Sequence, residues 1–444
     1  MSEPQPRRTT ASLAGRLGPF RHRPFAVYWA GGLLSNLGTW LQAVAGSIFV
    51  YQLTGSALAV GVLNFVGFLP ILLFSLAGGQ LSDRFDRRTI VIRTHLVSGT
   101  VATGLAILAF AGIASEVHVI VVAFALNTSY AIAKPSLISL VPNLVPRDEV
   151  TDAVGLNSLQ FILGQIIGPT IAALVMATAG AGPAFAINAA TYIGPIASMV
   201  YLQRRGLGGR KAAEMVGAVA RSTAVSAVAY VREQRWVLAL LIGVVSCSAP
   251  LEVIRTLAPA FVVEQLGESE SAAGFIVTAQ SVGSALALLI FVPLRRRGLS
   301  HQMAAAGLLV QAIGVIFTTV AHNMVAASFG VALVGFGFSL CFPILTGTLQ
   351  AEVHDQVRGR VMALHQMFHL GNRPATALAV GVLATAFGAG PAVLSGIVLA
   401  PIGLMATRQA WRRMGAVVQA PGPGPDAAAE ASQAAVGGDP PRSG

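Results

Sequence analysis

The ten residues GQLSDRFDRR (79–88) form a charged loop in an otherwise apolar chain. Five of these ten residues are charged, whereas charged residues make up only 11% of the 444 residues of the chain. A mostly apolar stretch precedes the loop (57–81) and another follows it (89–112). A helix needs about 20 mostly apolar residues to cross the ~30 Å hydrocarbon layer of a bilayer. The loop is therefore predicted to join two membrane-spanning helices.

The composition extends this prediction to the whole chain. Hydrophobic residues make up 54% of the sequence, and the mean hydropathy is +0.70. A soluble globular protein carries about 25% charged residues. The composition excludes a disordered protein, a disulfide scaffold and almost any ordinary cytosolic enzyme. A soluble bundle of buried helices is disfavoured as well, because its helices would need polar outer faces.

The apolar stretches predict an all-α membrane protein with twelve spans, six on each side of a polar break. The predicted spans are 25–53, 57–81, 89–112, 117–141, 153–179, 183–202, 236–263, 272–294, 303–321, 324–349, 361–387 and 391–407. The corresponding domains are a cytoplasmic arm (1–24), a six-helix bundle (25–203), a cytoplasmic linker (204–235), a second six-helix bundle (236–413) and a disordered tail (414–444). A weak apolar stripe in the linker favours a helix on the membrane surface, and a flexible connection is the alternative.

The basic residues predict the orientation. Of the 29 Lys and Arg residues, 26 lie in the arm, the tail or loops that share one side of the twelve-span arrangement. Lys and Arg are enriched in cytoplasmic loops, so both termini are expected in the cytoplasm and the protein in the plasma membrane. The net charge of +11 is then a topology signal and a contact for anionic lipids, and no nucleic-acid partner is expected.

The loop 79–88 resembles the Gly-x-Leu-x-Asp-Arg-x-Gly-Arg-Arg signature of the major facilitator superfamily, with Asp86 at the second Gly position. The resemblance implies two six-helix pseudo-repeats and a cytoplasmic gating latch. The implied latch residues are Gly79, Asp83, Arg84, Arg87 and Arg88. In this scheme Asp83 binds the N-terminus of the eleventh span, where the helix dipole favours an anion, and the arginines pair with acidic groups such as Glu352 or Asp355. The alternative is that these charges only anchor the loop on the cytoplasmic side.

The fifth span contains GQIIGPTIAA (164–173), which is similar to the antiporter signature of exporter branches of that superfamily. Gly164 and Gly168 allow close helix crossing, and Pro169 permits a bend. The stretches 140–147 and 358–362 resemble a narrower branch that includes enterobactin-type exporters and multidrug efflux proteins. The resemblance covers residues 21–413. Prolines at corresponding places in spans four and ten, and in five and eleven, agree with a parallel repeat and a substrate site between the halves.

Polar residues inside the spans are the candidate cavity or coupling residues, because ionisable groups in a membrane are expensive. The candidates are Arg373, His365, His369, Asn372, Glu252, Arg255, Lys134, Asn127, Asn36 and Gln42. The four in span eleven share one helix face. Arg373 is expected to line the cavity, with a backbone-carbonyl bond or snorkelling as alternatives. Glu252 and Arg255 are expected to pair, either as a coupling site or as a structural ion pair.

These patterns predict a secondary transporter that exports a small organic compound by alternating access. The compound would be a drug, a siderophore or a secondary metabolite, and protons would be the coupling ion. The chain lacks a phosphate-binding loop, a His-Glu-x-x-His motif and a Gly-x-Ser-x-Gly elbow, so neither ATP-driven transport nor an enzyme is expected. No cofactor or metal is expected, and the protein is expected to be a monomer.

Two alternatives to export remain open, a metabolite importer of the same fold and a non-transporting membrane sensor. The Arg of span four and the acid of span one that proton-driven exporters of the superfamily usually carry are missing, so coupling through those residues is not expected. The three basic residues inside spans (Lys134, Arg255 and Arg373) favour an anionic or catecholate-like substrate.

Overall fold

The computed structural model describes residues 17–208, 230–296, 300–353 and 355–419. Within these ranges the chain consists of helices and loops and contains no strand, so the all-α prediction is confirmed. The long helical segments are α1 (Arg23–Thr54), α2 (Ala57–Arg84), α3 (Arg87–Phe110), α4 (Glu116–Leu140), α5 (Val150–Thr178), α6 (Ala181–Thr191 and Ile193–Arg204), α7 (Arg235–Glu264), α8 (Ala273–Arg296), α9 (Ser300–Thr319), α10 (Met324–Glu352), α11 (Asp355–Phe387) and α12 (Ala389–Val393 and Ala400–Gln419). Short 3-10 turns occupy Gly18–Arg21, Val141–Asn143, Arg147–Glu149, Glu270–Ala272 and Leu394–Ile397.

Eleven of these segments are long and apolar enough to cross a membrane. The exception is α11, which is 33 residues long but carries His365, His369, Asn372 and Arg373 along its middle. Its composition, and not its length, distinguishes it from the other segments. The polar residues that made α11 a candidate site therefore also lower its mean hydropathy.

Local signals in the sequence set where several helices begin and end. Ser56 begins α2 by accepting a hydrogen bond from the Ala59 amide, and Gly55 ends α1 in the left-handed region at φ 61°. Asp86 begins α3 by accepting from the amides of Arg88 and Thr89. Such N-cap acceptors satisfy amides that have no partner in the first turn of a helix.

The helices pack as two groups, α1–α6 and α7–α12, which meet mainly where α2 lies along α11 and α5 lies along α8. Glycines make both crossings close. A Cβ at Gly61 of α2 would lie 2.6 Å from the Ala377 carbonyl oxygen of α11, and one at Gly381 would lie 3.0 Å from the Leu58 Cα. On the other side, a Cβ at Gly274 of α8 would overlap the Pro169 carbonyl oxygen of α5.

The apolar cores differ at the two ends of the molecule. At the end that holds the loops after α1, α3, α5, α7, α9 and α11, a single core cluster includes side chains from all twelve segments. At the opposite end, which holds the loop 79–88, one cluster belongs to α1–α6 and a separate one to α7–α12. The two groups are thus joined at one end and apart at the other.

The structure differs from the sequence predictions at several boundaries. The helix of α12 continues to Gln419, six residues past residue 413, the predicted end of the second bundle. Segment α6 is interrupted at Tyr192. The predicted surface helix of the linker falls largely on residues 209–229, which lie outside the described ranges, as do residues 1–16 and 420–444.

Candidate functional site

Two arginines from the second group of helices contact aromatic faces of the first group. The Arg255 guanidinium of α7 lies 5.0 Å from the Trp40 ring centre of α1. The Arg373 guanidinium of α11 lies 5.3 Å from the Phe68 ring centre of α2. Such cation–π contacts are favourable, and more so away from water. Both contacts lie within the bodies of their helices, between the two groups.

A third cation lies close by on the first group. The Lys134 ammonium of α4 donates a hydrogen bond of 2.5 Å to the Tyr130 hydroxyl and lies 5.9 Å from the Phe161 ring centre. The Phe161 ring of α5 packs edge-on against Trp40 at 5.6 Å. The aromatic rings of Trp40 and Phe161 therefore connect Arg255 to Lys134, and together these side chains form one wall of cations and aromatic faces.

Glu252 and Arg255 do not form the ion pair that their spacing predicts. The Arg255 Nε donates instead to the Gln280 side chain of α8 at 2.9 Å. Among the described residues, no ion pair within 4.0 Å includes Glu252. The reason is that Arg255 has partners on other helices, namely Gln280 and the Trp40 ring, which the spacing of residues within α7 cannot predict.

Glu252 is an almost fully buried carboxylate, 2% exposed, between these arginines. The Thr256 hydroxyl and the positive charges of Arg373 and Arg255 act on this carboxyl. Its Oε2 atom has no hydrogen-bond partner among the described residues. The Asn64 side chain of α2 donates to Thr256 at 3.2 Å, which links the Glu252 surroundings to the first group.

The four polar residues of α11 do not share one environment. His365 is 1% exposed and bonds Thr346 of α10 at 3.0 Å, while His369 bonds Ser248 of α7 at 2.9 Å. His369 also packs against the Phe342 ring at a centroid distance of 4.5 Å. Both histidines therefore bind inside the second group. Of these four residues, Arg373 is the one that contacts a described side chain of the first group, the Phe68 ring.

Three of the predicted cavity or coupling residues, Gln42, Asn36 and Asn127, form hydrogen bonds inside the first group. Gln42 is buried and accepts a hydrogen bond of 3.1 Å from Asn188 of α6. Its side-chain carbonyl is therefore bound within the first group, whereas the sequence predicted a cavity liner. Asn36 donates to the Gly32 carbonyl one turn earlier in its own helix. Asn127 likewise donates to a carbonyl of its own helix, that of Ala123, and is half-buried. Asn372 accepts from Thr376, and its amide nitrogen is buried without a partner among the described residues.

The charges of the loop 79–88 bind mainly within the first group. Arg88 donates to Asp86 at 2.7 Å and to the Leu207 carbonyl at 2.7 Å, and Arg87 donates to the Ser139 carbonyl at 3.3 Å. The hydrogen bond from Arg88 holds the pKa of the Asp86 carboxyl below its ordinary value. Asp86, which occupies the glycine position of the signature, thus has a role of its own as helix cap and as partner of Arg88.

Among the residues that the structure describes, the predicted latch contacts are not formed in this arrangement. Asp83, Arg84 and Glu352 are exposed, and the Asp355 side chain lies outside what the structure describes. Gly79 has open space where a Cβ would be, and the close helix approach occurs one residue earlier, where a Cβ at Gly78 would lie 2.6 Å from the Ala131 carbonyl oxygen. The latch remains a prediction for a state in which the loop ends of the two groups come together.

The glycines of the fifth helix make the close crossing that the sequence predicts. A Cβ at Gly164 would lie 3.0 Å from the backbone of Asn36, and one at Gly168 would lie 2.6 Å from the Trp40 Cβ. Pro169 follows at the α5–α8 crossing, against Gly274. These glycines set the position of Trp40 and hence of the aromatic wall.

Several side chains of this wall could not be found from the sequence. Phe68 and Phe161 stand in apolar stretches among many similar residues, and Gln280 is a neutral amide inside another such stretch. Only the packing of different helices brings these side chains to Arg373, Lys134 and Arg255. The sequence indicated only that a basic residue lies within a span. It did not indicate which side chain of another helix that residue contacts.

Comparison with known proteins supports a transporter. The chain is 30% identical to macrolide efflux protein A of Streptococcus pyogenes over 151 residues, which is 34% of this chain and 37% of that protein. It therefore spans little more than a third of the length of this curated relative. It is 24% identical to the multidrug efflux pump Tap of Mycolicibacterium fortuitum over 378 residues, 82% of this chain and 90% of the pump.

The fold is shared with solved transporters. A bacterial homologue of the human lysosomal transporter Spinster, in an inward-facing and occupied conformation, superposes with a TM-score of 0.70 at 12% identity, over 89% of this chain and 97% of that chain. The family described as transmembrane secretion effectors, within the major facilitator superfamily, matches residues 14–428. The chain therefore belongs to this family, and its described helices share the fold of multi-pass membrane transporters.

Proposed function

We propose that the protein exports a small organic compound across the plasma membrane by alternating access of its two helix groups. The observation that carries the proposal is the difference between the two ends, a single core at one end and two separate cores at the other. Such an arrangement suits a site that is closed to one side and open to the other. The opposite state would require the joined ends to part and the loop ends to meet.

In this proposal α11 crosses the membrane as a twelfth span, so that each group has six spans. The basic loop end faces the cytoplasm, by the bias of Lys and Arg toward cytoplasmic loops. The site is then open to the cytoplasm and closed to the outside, ready to load a compound for export. The family description and the efflux relatives support the outward direction.

The compound belongs to the broad class of drugs, siderophores and secondary metabolites, and the proton-motive force is the energy source. The chain has no phosphate-binding loop for ATP. The charges of Arg255 and Arg373 act on Glu252 and His369, and His365 lies one helical turn from His369. Glu252, His365 and His369 are the candidates for exchanging protons with the solvent.

The test is efflux from a bacterium that lacks its own pumps. Cells that express the protein are loaded with a panel of fluorescent drugs and siderophores, and the loss of each compound is followed with and without a protonophore. Export predicts loss that is faster than in cells carrying the empty vector, and that stops with the protonophore. Faster accumulation than in those control cells would overturn the outward direction.

A second measurement separates a transporter from a sensor. Liposomes that contain the purified protein are preloaded with an unlabelled compound that the protein binds, and a labelled trace of the same compound is added outside. A transporter concentrates the label inside by counterflow, whereas a sensor binds the compound without flux. Binding without counterflow for every compound that binds would overturn the proposal.

A further inference from the structure

We propose that the exported compound is a small organic anion with two or more acidic groups, that Arg255 and Arg373 bind one of these groups, and that Glu252 competes for the same arginines. This inference rests on the proposed function and names its substrate class. It follows from the charges between the helix groups, from the unused donors of the arginines and from the geometry of Glu252.

The charges around the site are unequal. The bodies of the described helices bring together three cations (Lys134, Arg255 and Arg373) and one carboxylate (Glu252). Charges inside a membrane protein are costly and are retained mainly where they serve a pathway or a ligand. An excess of positive charge attracts an anion and repels a cationic compound.

The arginines have donors to spare. A guanidinium carries five N–H donors in a planar fork that fits a carboxylate. Arg255 uses one of them on the neutral Gln280 side chain and places its flat face on Trp40. For Arg373, the described residues provide the Phe68 ring and no hydrogen-bond acceptor. Donors that meet only aromatic faces and one amide remain available for the oxygens of a ligand.

Glu252 is placed to act as an internal competitor. Its carboxylate is buried beside both arginines, yet it pairs with neither within 4.0 Å, and one of its oxygens has no partner among the described residues. When a ligand anion takes the arginines, the attraction that favours the charged form of Glu252 weakens, and the carboxyl then binds a proton more readily. Anion and proton are therefore expected to bind together.

The other groups near Glu252 do not change the sign of this linkage. Arg255 lies on its own helix, Arg373 and His369 come from α11, and α2 and α8 contribute the neutral Asn64 and Gln280. A neutral His369 adds no charge, and a protonated one adds to the positive excess. A compound with two or more negative charges that leaves with one proton still removes negative charge from a cell that is negative inside, so the membrane potential drives its export.

The experiment measures ligand binding by thermal stabilisation of the full chain in detergent. The probes are citrate and 2,3-dihydroxybenzoate as anions, with ethidium as a cation. Both anions are expected to stabilise the protein, and citrate more strongly than the aromatic acid. Arg373→Gln and Arg255→Gln are expected to weaken citrate binding by about tenfold or more. Arg93→Gln makes the same charge change at an exposed site of α3 and is expected to leave citrate binding unchanged.

The pH dependence tests the role of Glu252. Citrate binding to the wild type is expected to tighten as the pH falls, while Glu252→Gln is expected to bind tightly throughout and to lose this dependence. Arg373→Lys retains the charge and shows whether a weak Gln variant has simply misfolded, because it is expected to recover part of the affinity. Stabilisation by ethidium and by neither anion, or an unchanged pH dependence in Glu252→Gln, would overturn the proposal.

Counterflow separates this proposal from the proposed function. Transport of a cationic compound that is indifferent to Arg373→Gln would leave transport standing and refute the anion site. Anion binding that depends on both arginines, without counterflow of any compound, would support the anion site and refute transport.

Discussion

At the scale of single residues, the partner of a polar side chain depends on the helices that surround it. Glu252 and Arg255 lie one turn apart on the same helix, yet they form no ion pair within 4.0 Å. Arg255 instead binds Gln280 and Trp40, which belong to other helices. The spacing within a helix predicts which residues share a face, but the partner of a polar group depends on which helices pack against that face. The sequence could therefore predict which polar residues lie inside the spans, but not which side chains they bind.

Asp86 gives a prediction at this scale, because the residue has two separable roles. Replacing it with Ala removes both the N-cap of α3 and the partner of Arg88, whereas Asn keeps the cap and removes the charge. Loss of an N-cap costs about 1 kcal/mol of stability. Asp86→Ala is therefore expected to lower the thermal unfolding temperature in detergent more than Asp86→Asn does. Equal unfolding temperatures for the two variants would contradict the capping role.

The pH dependence of the same residue has a definite sign. Because the pKa of Asp86 is lower in the folded protein, its charge stabilises the fold above its unfolded pKa of about 3.9, and this contribution is lost as the pH falls. The difference in unfolding temperature between the wild type and Asp86→Asn is expected to shrink as the medium is acidified through and below that value, toward the lower pKa of the folded protein. A difference that grows on acidification would refute the ion pair with Arg88.

At the scale of helices, hydropathy predicted the positions well because the bilayer fixes the length of each span. Hydropathy failed to predict features that do not depend on the length of an apolar stretch. The composition does not indicate the interruption of α6 at Tyr192 or the extension of α12 to Gln419. Segment α11 was predicted as a span although its polar residues lower its hydropathy. The close α2–α11 crossing through Gly61 and Gly381 was also missed, because a single glycine in a span is too common to indicate which helix it faces.

This crossing predicts a shift between states. Gly61→Ala places a methyl group 2.6 Å from the Ala377 carbonyl oxygen at the joined end, so the two helices have to move apart. Overpacking of this kind costs roughly 1–3 kcal/mol, and here the cost applies only to the state in which α2 and α11 are in contact. Spin labels on the loops after α1 and α7 are expected to show a larger population of long distances in the variant. Gly104→Ala is the control, because a Cβ there has nothing within 4 Å.

The contact between α1 and α5 should behave differently, since both helices belong to one group. Gly168→Ala places a methyl group 2.6 Å from the Trp40 Cβ and about 3.0 Å from the backbone of α1. The crossing persists in either state of a rocking transporter, so the variant is expected to lower the unfolding temperature without changing the label distances. A change in the distances at unchanged stability would mean that α1 and α5 separate during transport.

At the scale of the whole molecule, alternating access requires the joined end to open, and a specific contact there tests this requirement. The Tyr51 hydroxyl of α1 donates to Glu264 of α7 at 3.2 Å, between the two groups. Cysteines at these two positions, joined by a short bifunctional methanethiosulfonate that forms a reducible disulfide with each of them, would hold the end closed. Transport is expected to stop on crosslinking and to return after reduction.

The control is a crosslink of the same kind within one group. His22 and Glu149 bond each other at 3.0 Å in the first group, and a crosslink between cysteines at these positions is expected to leave transport intact. The native Cys247 and Cys341 are both buried and are replaced by serine in each variant. Alternating access allows one result only, arrest by the crosslink between groups and not by the one within a group. Full transport with the Tyr51–Glu264 positions joined would mean that the compound crosses without any parting of the two groups at this end, and the rocking mechanism would fail.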